Sequence, residues 1–297
     1  MGLLLQPLNV SQQNWSRLRI EWRIVAVAFL STWAFWPTLN SLVSVWRNNP
    51  QYSHGFLVAP FAGWLLWHRR EQCPPNLTPS PWLGGALLIA SVMLRVLAGW
   101  RFAEWPEAIS LIPFLFSVAL IFGGTALTKW SAPAIAFLAF MIPLPHRVEV
   151  ALGSPLQSLA TVTSTFVLQT LGQPAIAQGH TILLRDVRLE VVEACSGLKM
   201  LVTFLTFATA VCLVVTKPVS DKLVILASSI PIAIAVNVIR IVFTGWMCLH
   251  VSSEAAKVFY HDLAGWLMMP LALCMLGIEL WIMQRLIVEQ PMRLAAR

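Results

Sequence analysis

Ala194-Cys195-Ser196-Gly197-Leu198-Lys199 sets a thiol at the first turn of a long apolar run. Two later apolar runs carry Arg240 and, just before the second of them, His261. A cysteine that shares one face with a base and a cation is the equipment of thiol acyl transfer. A thiol at a helix N-terminus feels the positive end of the helix dipole, which lowers its pKa and raises its thiolate fraction. Ser196 and Gly197 let the chain turn tightly into that helix, and Lys199 adds positive potential one turn on. Burying Arg240 in an apolar run is costly, so it has a task or a partner. Its guanidinium can stabilise a thiolate or a developing oxyanion. His261, followed by Asp262, can serve as general base and acid. Asn237 precedes Arg240 by one turn on the same helix face, where it can orient the guanidinium. His54 is the chief rival of His261 and reads as a substrate-binding or bracing residue. His146 and His180 have weaker claims, and the histidines lack metal-ligand spacing, so no metal or organic cofactor is expected.

Composition says what must hold these residues. Of 297 residues, 58% are hydrophobic and only 11% charged, against about 25% charged in a soluble domain. The bulk of the chain is therefore membrane-embedded. Fourteen Trp suit interfacial anchoring. The +7 charge sits mostly in short loops between apolar runs and gives no reason to expect nucleic acid. No signal peptide is read at the N-terminus, where polar and basic residues precede the first apolar run. Five cysteines without a CxxC pair argue against a zinc site or a disulfide framework. Cys212 and Cys274 read as packing and Cys73 as incidental. A disulfide between Cys195 and Cys248 is the alternative to a nucleophilic Cys195.

The fold class expected is an all-α polytopic bundle of about eight transmembrane helices, with an amphipathic helix and a small β-hairpin on its outer face. The spans read as Ile24–Val45, Gln51–Trp67, Trp82–Leu97, Ala108–Leu127, Ser131–Leu144, Leu198–Val215, Leu223–Met247 and Ala264–Met283. The second and fifth are short for a full crossing. Residues 1–23 form an N-terminal segment, 24–284 the transmembrane domain with an outer loop at 145–197, and 285–297 a tail. Pro74, Pro75, Pro79 and Pro81 mark a loop between the second and third spans. Arg95 and Glu279 are ionisable inside spans and have no assigned role.

Orientation follows the loop cations. With the N-terminus inside, Arg17, Arg19, Arg23, Arg69, Arg70, Lys129, Lys217, Lys222, Arg285, Arg293 and Arg297 lie inside. Arg47, Arg101, Arg147, Arg185, Arg188 and Lys257 lie outside. The larger inside set favours both termini in the cytoplasm and puts Cys195, Arg240 and His261 toward one outer face. In the outer loop, Val148, Leu152, Leu156, Leu159, Val162, Phe166 and Val167 share one helical face opposite Ser154, Gln157, Ser158, Thr161 and Ser164. That helix either lies along the interface or packs on the bundle. His180 to Val192 alternates and breaks at Arg185-Asp186, as a β-hairpin leading into Cys195 does.

The order of motifs resembles the exosortase/archaeosortase family of membrane-embedded cysteine transpeptidases. The matching stretches are Tyr52-Ser53-His54-Gly55-Phe56-Leu57, Pro143-Leu144-Pro145, Ala194-Cys195-Ser196-Gly197-Leu198-Lys199, Asn237-Val238-Ile239-Arg240 and His261-Asp262-Leu263-Ala264-Gly265. The resemblance implies that Cys195, Arg240 and His261 are catalytic. His54, Ser196, Gly197, Lys199, Asn237 and Asp262 would bind substrate or support them. Lys199 stands where many members have arginine, which keeps the charge and loses bidentate binding. The resemblance further implies an inner-membrane protein of a bacterium. Its partners would be membrane lipid and secreted proteins with a C-terminal Pro-Glu-Pro-type sorting motif, one transmembrane helix and a basic tail. The acceptor of the transferred protein is left open. The rival readings are a non-catalytic membrane component of polysaccharide export and a hydrolytic membrane cysteine protease.

Overall fold

The computed structural model describes residues 27, 29–49, 51–185, 187–191, 197–250, 274–275, 277–278 and 281. Residues 1–23, the tail 285–297, Glu279 and most of the expected eighth span lie outside the described residues. The described chain is mostly helical. Helix α1, Trp36–Asn48, opens with Pro37 in its first turn and buries Thr38, Leu42 and Trp46 at four-residue intervals. A tight connector leads to α2, Gly55–His68. A single 3-10 turn at Arg70–Gln72 and the expected proline loop follow. Helix α3, Pro81–Trp100, starts on Pro81. The short α4, Glu104–Ile109, precedes α5, Leu111–Phe137.

Helix α3 shows how the chain meets lipid. It buries only Gly84, Ser91 and Ala98, one stripe of small side chains packed on α5. Trp82 and Trp100, near its two ends, are 92% and 84% exposed, and Ile89, Met93 and Val96 between them also face outward. Small residues inside and large apolar residues outside are what a helix surrounded by lipid requires. Arg95 pairs with Glu107 at 3.9 Å, stacks on Phe35 and donates to the Ala34 carbonyl. Its role is thus structural, at the junction of α1, α3 and α4.

Helix α5 is two helices joined by a reversal. Ser110, just ahead of it, accepts from Ser91, while the Leu120 carbonyl accepts from the Ser80 amide, so its first half runs antiparallel to α3. Trp130 then donates to the Arg69 carbonyl, and His54 meets the Phe140 carbonyl, so the second half runs antiparallel to α2. The turn is made at Gly124, with φ +63°, where a Cβ would lie 1.9 Å from the Thr78 carbonyl oxygen. Only glycine lets the proline loop approach that closely. The expected fourth and fifth spans are therefore the two arms of this element.

Eight full crossings are not what the described residues display. Three helical runs are long and apolar enough by length and composition to cross a membrane, Pro81–Trp100, Glu104–Met141 and Val219–Leu249, and the second is broken by the reversal at Gly124. Helix α2 has 14 residues, about 21 Å by helical rise, short of the ~30 Å hydrocarbon layer. The sixth and seventh expected spans are present as α7, Leu198–Val214, and α8, Val219–His250.

Helix α6, His146–Thr170, is the amphipathic helix, and the sense of its faces is informative. Gly153, Ala160, Thr161, Ser164, Thr165 and Leu168 are buried, and the helix packs on α8. Val148, Leu152, Leu159, Val162 and Phe166 are exposed. Of the expected polar face, Thr161 and Ser164 point into the protein, whereas Ser154 and Ser158 are exposed. After α6 the expected hairpin is a three-stranded antiparallel meander: β1 Ala175–Gln178, β2 Thr181–Leu184 and β3 Val187–Glu190. Leu184 pairs with Val187 across the expected break, and Arg185 holds the turn at φ +48°. Ala160, Leu168, Ala175, Ile182, Leu184 and Val191 form one core with Ile241 of α8.

Candidate functional site

Arg240 is 6% exposed in the middle of α8, and Asn237, one turn earlier, is 1% exposed. An arginine two turns below a helix end can snorkel to the surface, but α8 continues to His250 and Arg240 stays inside. The physical reason lies one turn further on. Gly245 meets Leu168 and Leu184, and Ile241 shares their core, so α6 and the sheet roof the helix above Arg240. Thr244 donates to the Arg240 carbonyl at 2.8 Å, which leaves this turn of α8 polar within an apolar surround.

The chain around the expected nucleophile is seated on that same turn. Upstream, Val191 is 2% exposed and shares a core with Ile241. Its carbonyl accepts from Gln157 of α6, and its amide donates to His180. Downstream, Gly197 caps α7 with φ +85°. A Cβ there would lie 3.3 Å from Asn237 Nδ2. Positive φ and the close approach both call for glycine. Val191 thus shares a core with Ile241, and Gly197 lies close to Asn237, the two helix positions that bracket Arg240.

The first turns of α7 have a second neighbour. His54 is 4% exposed, immediately before α2. Its Nε2 lies 3.1 Å from the Phe140 carbonyl oxygen. A carbonyl only accepts, so the ring donates in that bond, and it also bonds the backbone of Gln51. Nδ1 faces Thr203 Oγ1 of α7 at 3.5 Å, and the Lys199 ammonium acts electrostatically on the same ring. The connector ahead of His54 is tied down as well. Tyr52 donates to Glu149 at 3.2 Å and accepts from the Leu144 amide at 3.1 Å, and Gln51 donates to Glu149 at 2.7 Å. Burial and the Glu149 carboxylate push the Tyr52 phenol up to about 12, so it keeps its proton and goes on donating. Tyr52-Ser53-His54-Gly55 and Pro143-Leu144-Pro145 therefore form one hydrogen-bonded unit.

The structure brings Gly197, Asn237 and Arg240 together and sets His54 and Lys199 on the adjoining side of α7. Cys195, Ser196, His261 and Asp262 lie outside the described residues. Among the described residues no group of histidine, cysteine and carboxylate side chains has metal-holding geometry. Among the described residues Cys73, Cys212, Cys248 and Cys274 form no disulfide, and Cys212 donates to the Lys222 carbonyl. Sequence reasoning assigned no role to Gln157, Thr203, Tyr52 or Glu149. Gln157 was legible only as a member of a polar face, because its partner is a backbone carbonyl with no sequence signature. Between α2 and α7, below His54, runs an apolar cavity of about 660 Å³ lined by Leu57, Phe61, Trp64, Phe207, Ala210 and Val214 among others.

The family model described as transmembrane exosortase matches residues 46–278. That range takes in every motif from the Tyr52 connector to His261, and the chain belongs to this family of membrane proteins. No curated protein and no solved structure matches the chain.

Proposed function

We propose that this membrane exosortase is a protein-sorting cysteine transpeptidase with Cys195 as nucleophile, Arg240 as oxyanion-stabilising cation and His261 as general acid and base. One observation supports this reading most: Val191, which shares a core with Ile241, and Gly197, which lies close to Asn237, flank residues 192–196 in sequence, and Ile241 and Asn237 bracket a buried arginine on α8. A buried guanidinium has its greatest electrostatic effect in such a water-poor place. Family membership supports the reaction class.

The Cys195 thiolate attacks the carbonyl of the scissile peptide bond, and the carbonyl oxygen takes the developing charge beside Arg240. As the tetrahedral intermediate collapses, the C–N bond breaks and His261 protonates the leaving amine. The thioester is then attacked by an acceptor nucleophile, the C–S bond breaks and the thiolate returns. The protein sits in a bacterial inner membrane with both termini in the cytoplasm and this site at the outer face. Its substrates are secreted proteins carrying a Pro-Glu-Pro-type motif, a transmembrane helix and a basic tail. The substrate helix rests its apolar side in the cavity between α2 and α7, whose polar end is His54. Anchoring both partners in one membrane supplies effective concentration without a deep pocket.

The test is Cys195→Ser at matched membrane level. The hydroxyl keeps shape and polarity but is a far weaker nucleophile at neutral pH. Substrate should remain full-length with its C-terminal helix attached. His261→Ala should also stop turnover, and His54→Ala should slow it less; the reverse order would make His54 the base. Full processing by Cys195→Ser would end the transpeptidase reading and favour a non-catalytic export component. Product ending in a free carboxylate would make the enzyme a hydrolase.

A further inference from the structure

We propose that Glu149 is a positioning residue that holds the His54 ring at the polar end of the apolar cavity, acting through Tyr52 and Gln51. The inference rests on the reading of His54 as a substrate-side residue and adds what keeps it in place. Glu149 lies in the first turn of α6. Its Oε1 accepts from Gln51 Nε2 at 2.7 Å and from the Tyr52 hydroxyl at 3.2 Å. The Tyr52 oxygen accepts in turn from the Leu144 amide at 3.1 Å and from Gln51 Nε2 at 3.3 Å. These bonds join three stretches of chain: the connector ahead of α2, the stretch from Phe140 to Pro145, and the start of α6. The His54 ring is bonded to the first two of them. Its Nε2 lies 3.1 Å from the Phe140 carbonyl oxygen, and the ring also bonds the Gln51 backbone. Moving either stretch therefore moves a bonded partner of the ring.

Charge is what fits Glu149 for this task. A carboxylate only accepts, so the Tyr52 hydroxyl has one orientation, donating to Glu149 and accepting from Leu144. A glutamine in the same place also donates, and the network loses its fixed direction. Bonds to an ionised acceptor are also roughly twice as strong as neutral ones. Tyr52 and His54 are 3% and 4% exposed, so water does not compete for these bonds. A ring held between fixed backbone partners keeps one pose. A group that is already ordered loses less freedom when substrate arrives.

The experiment reads the tie first without substrate. The chain has two tyrosines, Tyr52 and Tyr260, so in a Tyr260→Phe background the tyrosinate absorbance of the full solubilised chain reports Tyr52 alone. In a stopped-flow pH jump, read before unfolding, its midpoint should lie at about 12. Glu149→Gln should bring it down, because the carboxylate no longer repels a phenolate, but not to the ordinary 10.0, because burial remains. Deuterium exchange at imidazole C2, followed by mass spectrometry on membranes bearing the full chain, reports the ring itself. It should run about fivefold faster at His54 in Glu149→Gln and in Tyr52→Phe, the weight of one hydrogen bond. It should stay unchanged at His68, the last residue of α2. Processing supplies the third readout. Glu149→Gln should raise KM about fivefold at little change in kcat, since it loosens a contact made in ground and transition states alike. Combined with His54→Ala it should add no further loss. An unmoved tyrosinate midpoint, His54 exchange equal to wild type in both variants, equal acceleration at His68, or additive losses in the double variant would overturn the proposal. The optical and exchange outcomes need no substrate, so they stand apart from whether Cys195→Ser abolishes processing.

Discussion

Helices α3 and α6 obey the same burial rule and use it for different ends. Both expose large apolar side chains and bury small ones. In α3 the buried stripe is Gly84, Ser91 and Ala98, and its one hydroxyl is spent on the Ser110 carbonyl of the neighbouring connector. In α6 the buried face holds Thr161, Ser164 and Thr165 and adds the half-buried Gln157, which reaches across to Val191. The α3–α5 contact is close packing and little else. The α6–α8 contact brings hydroxyls and an amide alongside the helix that carries Arg240. Frame and site are thus built from one helix type, and what separates them is the polarity of the inward stripe.

The largest expected effect breaks the comparison on the site side. Arg240→Leu should lower substrate cleavage at least 10²-fold, about 2.7 kcal/mol or more of transition-state stabilisation, measured at equal membrane abundance. Arg240→Lys should rescue little, because one ammonium does not reproduce the planar fork. Next comes a test of what covers the outer faces. Ile89→Lys on α3 puts a charge near mid-span, costing about 2.5–3.5 kcal/mol, and should deplete the protein from the membrane. Phe166→Lys on α6 should cost less if that face lies near the headgroups, and as much if it lies at the bilayer centre. Protein level and carbonate-resistant insertion report both.

A finer contrast compares the inward stripes. Ser91→Leu overpacks the α3–α5 contact by about 1–3 kcal/mol. It should lower the melting midpoint of the solubilised protein while leaving activity per folded molecule intact. Thr161→Val keeps volume and removes one hydroxyl, whose bond to the Gln157 carbonyl is worth about 1 kcal/mol. It should move stability least and turnover per molecule more than Ser91→Leu does. If both variants affect only stability, the distinction between frame and site fails.

Much of this was legible in sequence, for identifiable reasons. Long apolar runs locate α2, α3, α7 and α8 because hydropathy over a span is a strong signal. Arg240 stands out because a guanidinium in such a run demands explanation, and Gly197 because a turn must precede α7. The Arg185-Asp186 break falls at the β2–β3 turn. Other features were not legible. Strand β1 is too short for alternation to register. The reversal at Gly124 depends on the Thr78 carbonyl, which sequence does not advertise. The sense of α6 is a deeper case, since periodicity gives an amphipathic helix its two faces but does not say which solvent each one meets. In a soluble protein the apolar side turns inward; here Val148, Leu152, Leu159, Val162 and Phe166 are exposed among the described residues. The tie from Tyr52 to Glu149 joins distant stretches by side chains that are individually unremarkable.

The hydroxyl side of α6 has one more consequence, for the order of assembly. Chains are made from the N-terminus, and each part associates with what already exists. Helices α1 to α5 find partners within residues 34–141, since Trp46, Ser91 and Arg95 all bond within that stretch. Helix α6 does not: α8, on which its polar side rests, is translated later. Until then Thr161 and Ser164 lack the helix they pack against, and the roof over Arg240 is not closed. Among the described elements, the surroundings of Arg240 are therefore completed only once α8 is in place, so on the proposed reading a nascent or truncated exosortase would carry Cys195 as an ordinary cysteine.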